Sequence, residues 1–346
     1  MTKPGVSITN TPLIDVQDVV KYFQIRQGLI NRTVATVHAV EQVSFYIHRG
    51  ETLGLVGESG SGKTTLGRVL LRAIEPTKGK VIFRAKAEEP VDITSLPRRQ
   101  LRDFRRHMQM VFQDPYSSLN PRMTVRDTIA EPLIVNGITQ RSEVDDRVCD
   151  IARRCHLNLD YLQRYPHSFS GGQRQRVALA RALVLQPEFV VCDEPVSALD
   201  VSIQAEILNL LQELQDEFGL TYLFIAHDLS VVEHMSNRVA VMYLGRLVEL
   251  APTLELYREP RHPYTEALMA AIPLADPTQV LQPVIMPGEI PNPANPPMGC
   301  HLHPRCRYAT EICFRITPVY REVTPEHFVA CHLAEELNLI GVSELQ

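Results

Sequence analysis

The amino-acid sequence predicts an α/β fold, on three observations. From residue 13 to about 250, apolar β-branched runs alternate with helix-period stretches, which is the pattern of a largely parallel sheet carrying helices. The first strands follow one another with no helix between them, which adds an antiparallel edge layer. Beyond residue 252 the composition changes, with 14 of the 25 prolines in the last 95 residues.

Taken in order, apolar runs mark strands at 13–20, 38–47 and 51–56, and a helix over 62–73 follows a glycine-rich stretch. Val81-Ile82-Phe83 marks a strand at 80–83, and Met110-Val111-Phe112 another at 109–112. Between them, Arg98 to Arg106 reads as a short basic helix whose charges are a solvated face or a face for anionic phospholipid head groups. Helical periodicity covers 124–135, 142–156 and 171–185. The strand at 189–193, helix at 201–217, strand at 221–226, helix at 228–236 and a strand over 238–250 complete the regular part. Nine prolines then lie between Pro273 and Pro304. Proline neither donates to a ladder nor continues a helix, so an extended linker or wrapping segment is expected there. The expected domains are 13–252 and 253–346, and no internal repeat or low-complexity tract is found.

A chain of 346 residues fits one large α/β domain with an appendage, or two ordinary domains, and can bury a core without disulfides. Its 35 Lys and Arg against 40 Asp and Glu give a net charge of −5, which argues against a dedicated nucleic-acid binder. Met1 to Pro12 lacks the charged and apolar regions of a signal peptide, and there is no run of ~18 apolar residues, so neither export by the usual route nor a membrane span is expected. Of the seven cysteines, Cys149, Cys155 and Cys192 are scattered and are expected to pack as small hydrophobes. Four crowd the last 47 residues, where metal binding is a better reading than disulfides.

Thr52 to Val56 reads as a buried strand running into Gly57-Glu58-Ser59-Gly60-Ser61-Gly62-Lys63-Thr64, with Thr65 opening the helical pattern. This is G-x-x-x-x-G-K-[ST] between a strand and a helix, the context that gives the motif its meaning. Its glycines let successive N–H groups point at phosphate oxygens, and the helix N-terminus adds positive potential. Lys63 would reach the β- and γ-phosphates, and the Thr64 hydroxyl would serve Mg²⁺. Further on, Phe189-Val190-Val191-Cys192 ends in Asp193-Glu194. An acid at the carboxyl end of a strand suits Mg²⁺, and the next suits a base for attacking water.

Phe169-Ser170-Gly171-Gly172-Gln173 leads into a helix 19 residues before that acid pair. In this order the motifs resemble those of the ATP-binding cassette (ABC) ATPases, whose signature has Leu where this chain has Phe169. The resemblance implies a P-loop NTPase core with an antiparallel β subdomain and a helical subdomain at about 114–185. Gln113 looks like the Q-loop glutamine, contacting Mg²⁺ and water. Ser197-Ala198-Leu199-Asp200 looks like the D-loop, and His227 like the switch histidine that steadies the γ-phosphate. Phe23, or neighbouring Tyr22, looks like the aromatic that stacks on adenine. The family's mechanism implies an ATP sandwich, in which Ser170, Gly171, Gly172 and Gln173 of one cassette face the P-loop of another. Glu194 would be the general base, and Asp200 would contact the partner.

The last four cysteines, Cys300, Cys306, Cys313 and Cys331, are spaced C-x5-C-x6-C-x17-C. Four thiolates suit Zn²⁺ or an iron–sulfur cluster; the wide gaps better fit the cluster, while His301, His303, His327 and His332 are alternative zinc ligands, and thiols that only pack are a third possibility. Together with Arg261-His262-Pro263-Tyr264 and the blocks Phe112 to Arg122 and Glu194 to Ser202, they resemble the ABC ATPases of oligopeptide and dipeptide importers. Those carry a Pro-rich C-terminal extension with a [4Fe–4S] cluster, and the resemblance spans about residues 13 to 333. It implies an ATPase on the cytoplasmic face of the membrane with a second, homologous cassette, two permease subunits, and indirectly an extracytoplasmic peptide-binding protein. Nickel or another small solute is an alternative cargo. A non-transport ABC ATPase acting on DNA or ribosomes is a rival reading, but its usual second cassette, coiled coils or basic arms do not appear. A metal or redox sensor in the tail could coexist with transport.

Overall fold

The computed structural model describes residues 12–27, 32–86, 89–272 and 286–342. In chain order the strands and helices begin with β1 (Pro12–Gln27), β2 (Arg32–His48), β3 (Thr52–Val56), α1 (Lys63–Leu70), β4 (Lys78–Phe83), β5 (Val91–Asp92), α2 (Arg98–Phe104) and β6 (Met108–Val111). Then come α3 (Pro115–Ser118), α4 (Val125–Val135), α5 (Arg141–Arg154), α6 (Gly171–Leu183), β7 (Phe189–Asp193), α7 (Val201–Phe218), β8 (Thr221–Ile225) and α8 (Leu229–Met235). The series ends with β9 (Arg238–Tyr243), β10 (Arg246–Pro252), α9 (Thr253–Arg258), α10 (Pro263–Met269), α11 (Glu311–Arg315), β11 (Arg321–Thr324) and β12 (His327–Val329). The chain forms two units. The first takes its described residues from Met1–Ile14, Tyr46–Thr52 and Ile82–Ile225, the second from Asp15–Phe45, Leu53–Val81 and Ala226–Gln346.

In the first unit β6, β7 and β8 form a parallel ladder, with Met108 opposite Phe189 and Asp193 opposite Ile225. Every residue of β7 and β8 is buried, as apolar runs in a sheet covered on both faces should be. Helix α4 packs on α5 and α6, and α6 also packs on α7 and β6. The Thr124 hydroxyl caps α4 by accepting the Asp127 N–H, and Arg126 joins α4 to α5 through Asp145. Cys155 and Cys192 are wholly buried, as small hydrophobes are, whereas Cys149 is only half-buried.

In the second unit β3 runs parallel to β9, with Gly54 opposite Val239. The single strand expected over 238–250 is in fact the antiparallel hairpin β9–β10, turning at Leu244-Gly245 with φ of +42° and +79°. Apolar residues flank the turn on both sides, so the hydrophobic pattern runs through it unbroken. β12 then pairs with β10, placing Val329 opposite Glu249, and β11 pairs with β12. β1 and β2 are both longer than the sequence predicts. The wrapping reading of the proline stretch holds at one place, where the His38 N–H on β2 donates to the Pro293 carbonyl at 3.1 Å. Residues 273–285 of that stretch lie outside the described residues. Among the described residues no helix is long and apolar enough to cross a membrane.

Candidate nucleotide site and the cysteine pocket

The phosphate loop lies in the second unit, between β3 and α1. Gly57 and Gly62 have φ of +147° and +106°, and a Cβ on either would stand 2.1 Å from a backbone oxygen, that of Met242 and of Ala39 respectively. Only glycine lets the chain pass there, and the curl it permits opens a helix at Lys63. Ser61 and Lys63 are buried. The Lys63 ammonium donates to the Gly57 carbonyl at 2.7 Å, the Glu58 carbonyl at 3.0 Å and the Ser61 hydroxyl at 3.4 Å, so its charge is folded inside the loop. Thr64 and Thr65 follow on the first turn, half-buried, while Ser59 and Gly60 are exposed. A backbone cradle ending in an internal ammonium fits a polyphosphate.

Phe23, on β1 of the same unit, is 38% exposed with the Lys21 ammonium 4.9 Å from its ring centroid. The Tyr22 hydroxyl instead donates to Glu41 at 2.7 Å, and its ring lies 4.3 Å from that of His38. Burial, then that carboxylate, push the Tyr22 phenol up to about 12. Of the two aromatics, Phe23 has the face to offer.

The acid pair lies in the first unit. Asp193 is buried at the end of β7. Glu194 follows with φ of +48°, an unusual conformation for a residue with a side chain, held by its N–H donating to the Ile225 carbonyl at 2.9 Å. Its carboxylate accepts from Gln113 Nε2 at 2.7 Å, which joins two residues 81 apart in sequence. Ser170 and Gln173 form a reciprocal capping box at the start of α6. The glycines between them answer to α7 and its approach: a Cβ on Gly172 would lie 2.5 Å from Ile203 Cγ2, and one on Gly171 3.3 Å from Leu199 Cδ2. Asp200, exposed, is the N-cap residue of α7. His227, exposed, follows β8 and belongs to the second unit.

Three residues at the loop were not singled out for it by sequence reasoning. The Glu58 N–H donates to the Tyr264 hydroxyl at 2.7 Å, and Arg305 forms two hydrogen bonds to the Glu58 carboxylate, with Tyr243 beside them. The stretch Arg261 to Tyr264 carries a family resemblance, but nothing in one sequence tells that a tyrosine 206 residues away meets the loop.

The C-terminal cysteines all line one pocket of the second unit, with His262, His303 and His332 also in its wall. The Cys300 N–H donates to the Cys313 carbonyl at 2.9 Å, and the Leu333 N–H points at Cys331 Sγ at 3.4 Å. Burial raises the thiols, Cys300 to about 11 and Cys331 to about 12. Thiols this basic keep their protons unless a metal's charge displaces them. Among the described residues no group of three or more His, Cys, Asp or Glu is arranged to hold a metal ion. Of the alternative zinc ligands, His327 faces Glu249 and Glu255, and His301 is half-buried with its pKa lowered to about 4, chiefly by desolvation.

A phosphate loop opening a helix, an acid-terminated parallel strand and a capped Ser-Gly-Gly-Gln helix together define an ABC-type P-loop ATPase. Residues 40–197 match the ABC transporter family model, and residues 248–313 match that of the oligopeptide/dipeptide transporter C-terminal region. The oligopeptide transport ATP-binding protein AppF of Bacillus subtilis (strain 168) is 50% identical over 93% of this chain and 97% of its own length. A putative peptide import ATP-binding protein of Brucella abortus (strain 2308) is also 50% identical, over 94% of this chain and 98% of its own. Among solved structures, the dimeric bacterial ABC transporter cassette MJ0796 is 28% identical with a TM-score of 0.60, covering 69% of this chain and 98% of its own. The chain belongs to the ATP-binding proteins of oligopeptide/dipeptide ABC transporters, which couple ATP hydrolysis to peptide import.

Proposed function

We propose that this chain powers peptide import by hydrolysing ATP, with its P-loop facing the signature helix of a second, homologous cassette in a heterodimer. The observation that carries the reading is the loop itself, where two glycines without room for a side chain bring Lys63 into a backbone cradle. Gly57, Ser59, Gly60, Ser61, Gly62, Lys63, Thr64 and Thr65 take the phosphates, and Phe23 takes the adenine face. Thr64, Gln113 and Asp193 are the oxygen donors for Mg²⁺, which when bound neutralises phosphate charge. Glu194 is the general base, held by Gln113, and His227 steadies the γ-phosphate. Ser170, Gly171, Gly172 and Gln173 serve the partner's nucleotide, and Asp200 meets the partner. The expected division at 13–252 and 253–346 separates the cassette from an extension that specifies the transporter type.

The four cysteines hold a [4Fe–4S] cluster in this reading. It is supported by the pocket that all four line and by a donor set of soft sulfur atoms. Zn²⁺ is the alternative, and anaerobic purification separates them: absorbance near 400 nm with labile sulfide against a colourless protein with stoichiometric zinc. The complex is completed by two permease subunits and, on the other side of the membrane, a peptide-binding protein. The chain sits peripherally on the cytoplasmic face, with no nucleic-acid partner. Native complexes pulled from membranes should contain permeases and a second cassette, and ribosomes or DNA in their place would overturn this. Cargo tested against peptides and nickel distinguishes peptide import from small-solute import. For the chemistry, Glu194→Gln in the assembled complex should keep nucleotide binding and lower steady-state ATPase by about 10²- to 10⁴-fold. Unchanged ATPase would refute the general-base role.

A further inference from the structure

The phosphate loop of this chain contains an acid. Glu58 is its second residue, and a carboxylate beside a polyphosphate weakens binding by charge repulsion unless something neutralises it. Arg305 does so with both arms of its fork: Nη1 donates to Glu58 Oε2 at 2.9 Å and Nη2 to Oε1 at 3.1 Å. The arginine side chain is 8% exposed and the glutamate 26%, so water screens the pair poorly. The same Nη1 lies 3.5 Å from the Tyr243 hydroxyl, and the guanidinium stands 5.9 Å from that ring's centroid.

Glu58 is held at all its polar groups. Its N–H donates to the Tyr264 hydroxyl, its carboxylate accepts from Arg305, and its carbonyl accepts from Lys63 Nζ at 3.0 Å. The Tyr243 and Tyr264 rings pack 4.7 Å apart behind it. Any shift of Glu58 therefore moves a carbonyl to which the phosphate-binding ammonium is bonded. Arg305 is positioned by the cysteine segment: it ends the single helical turn His303–Arg305, its N–H donates to the Leu302 carbonyl at 2.8 Å, and Cys306 follows it directly.

We infer that Arg305 is a positioning residue for nucleotide, cancelling the Glu58 charge and fixing the loop, so that the cysteine-bearing segment forms part of the nucleotide site. The inference rests on nucleotide binding by this loop.

Equilibrium binding of a fluorescent ATP analogue to the purified full chain tests it. Arg305→Ala should weaken binding by about tenfold, since a tenfold change corresponds to about 1.4 kcal/mol and one poorly screened charge is worth at least that. Arg305→Lys should recover part of the loss, keeping the charge without the fork. Arg305→Ala with Glu58→Gln should bind better than Arg305→Ala alone, because the uncompensated acid is gone. In the assembled transporter the Arg305→Ala defect should appear in KM rather than kcat. Wild-type affinity in Arg305→Ala, or a double variant no better than the single one, would overturn the inference. Lys63→Ala measured alongside separates the two failures, since it weakens binding whenever the loop holds nucleotide.

Discussion

Replacing His327 with glutamine tests whether the β11–β12 pair is locked onto β10 by a buried charge. The ring is 0% exposed, with Nε2 2.7 Å from Glu249 Oε1 and Nδ1 2.7 Å from Glu255 Oε1. Both nitrogens face carboxylates, and both can donate only if the imidazole is protonated. Burial lowers its pKa, but the hydrogen bonds and charges of Glu249 and Glu255 prevail, and the net change is upward from 6.5. A raised folded pKa contributes stability that is fully present below the unfolded value near 6.5 and lost as pH rises through the folded value; each pH unit separating the two values is worth about 1.36 kcal/mol. His262, whose pKa burial lowers to about 3, adds a rise in stability with pH up to about 6.5, and because wild type and variant share it, the difference between the two proteins reads His327 alone. His327→Gln leaves the wholly buried Glu249 with the N–H groups of Arg261 at 2.6 Å and His262 at 3.1 Å. Stranding a buried charge costs about 3–5 kcal/mol, and with two N–H donors retained we expect about 2–3 kcal/mol at pH 6. Urea unfolding followed by circular dichroism, from about pH 6 to 9, reads both quantities. The stability advantage of wild type over the variant should shrink as pH rises. Parallel lines for the two proteins would refute a protonated His327.

Gly62→Ala places a Cβ 2.1 Å from the Ala39 carbonyl at a positive φ, so ATP binding should be lost and the unfolding midpoint lowered. Gly172→Ala should cost about 1–3 kcal/mol by overpacking against Ile203, and adding Ile203→Ala should return part of it, measured by denaturant unfolding. Phe23→Ala should weaken ATP binding several-fold while Tyr22→Ala changes it less, because the Tyr22 side chain is engaged with Glu41 and His38; the reverse order would move the adenine contact to Tyr22. Cys306→Ser should remove the 400 nm absorbance while far-ultraviolet dichroism stays near wild type, and an unchanged spectrum would exclude Cys306 as a ligand.

The alternating strand-and-helix core was legible because its strands are short, apolar and closed by recognisable signals, as β7 is by its acid pair and α6 by Ser170. Motifs that act over a few residues, such as the phosphate loop, were legible for the same reason. The β9–β10 turn was not, since Leu244-Gly245 sits inside apolar sequence and its geometry comes from backbone dihedrals rather than polarity. α9, α10 and β12 were missed because each is short and is stabilised by tertiary contacts, as β12 is by His327. The links from Tyr264 and Arg305 to Glu58 span 206 and 247 residues, and no local pattern encodes a pairing of that range.

The pairing of β12 with β10 also bears on synthesis. His327–Val329, the strand that pairs with β10, is made after every other described strand. Until then β10 presents its unpaired backbone and the Glu249 carboxylate to solvent, an open template of the kind that recruits other strands. A nascent chain would need to delay closing this unit, or have it shielded, and a version shortened after Pro252 would keep that edge open for its lifetime.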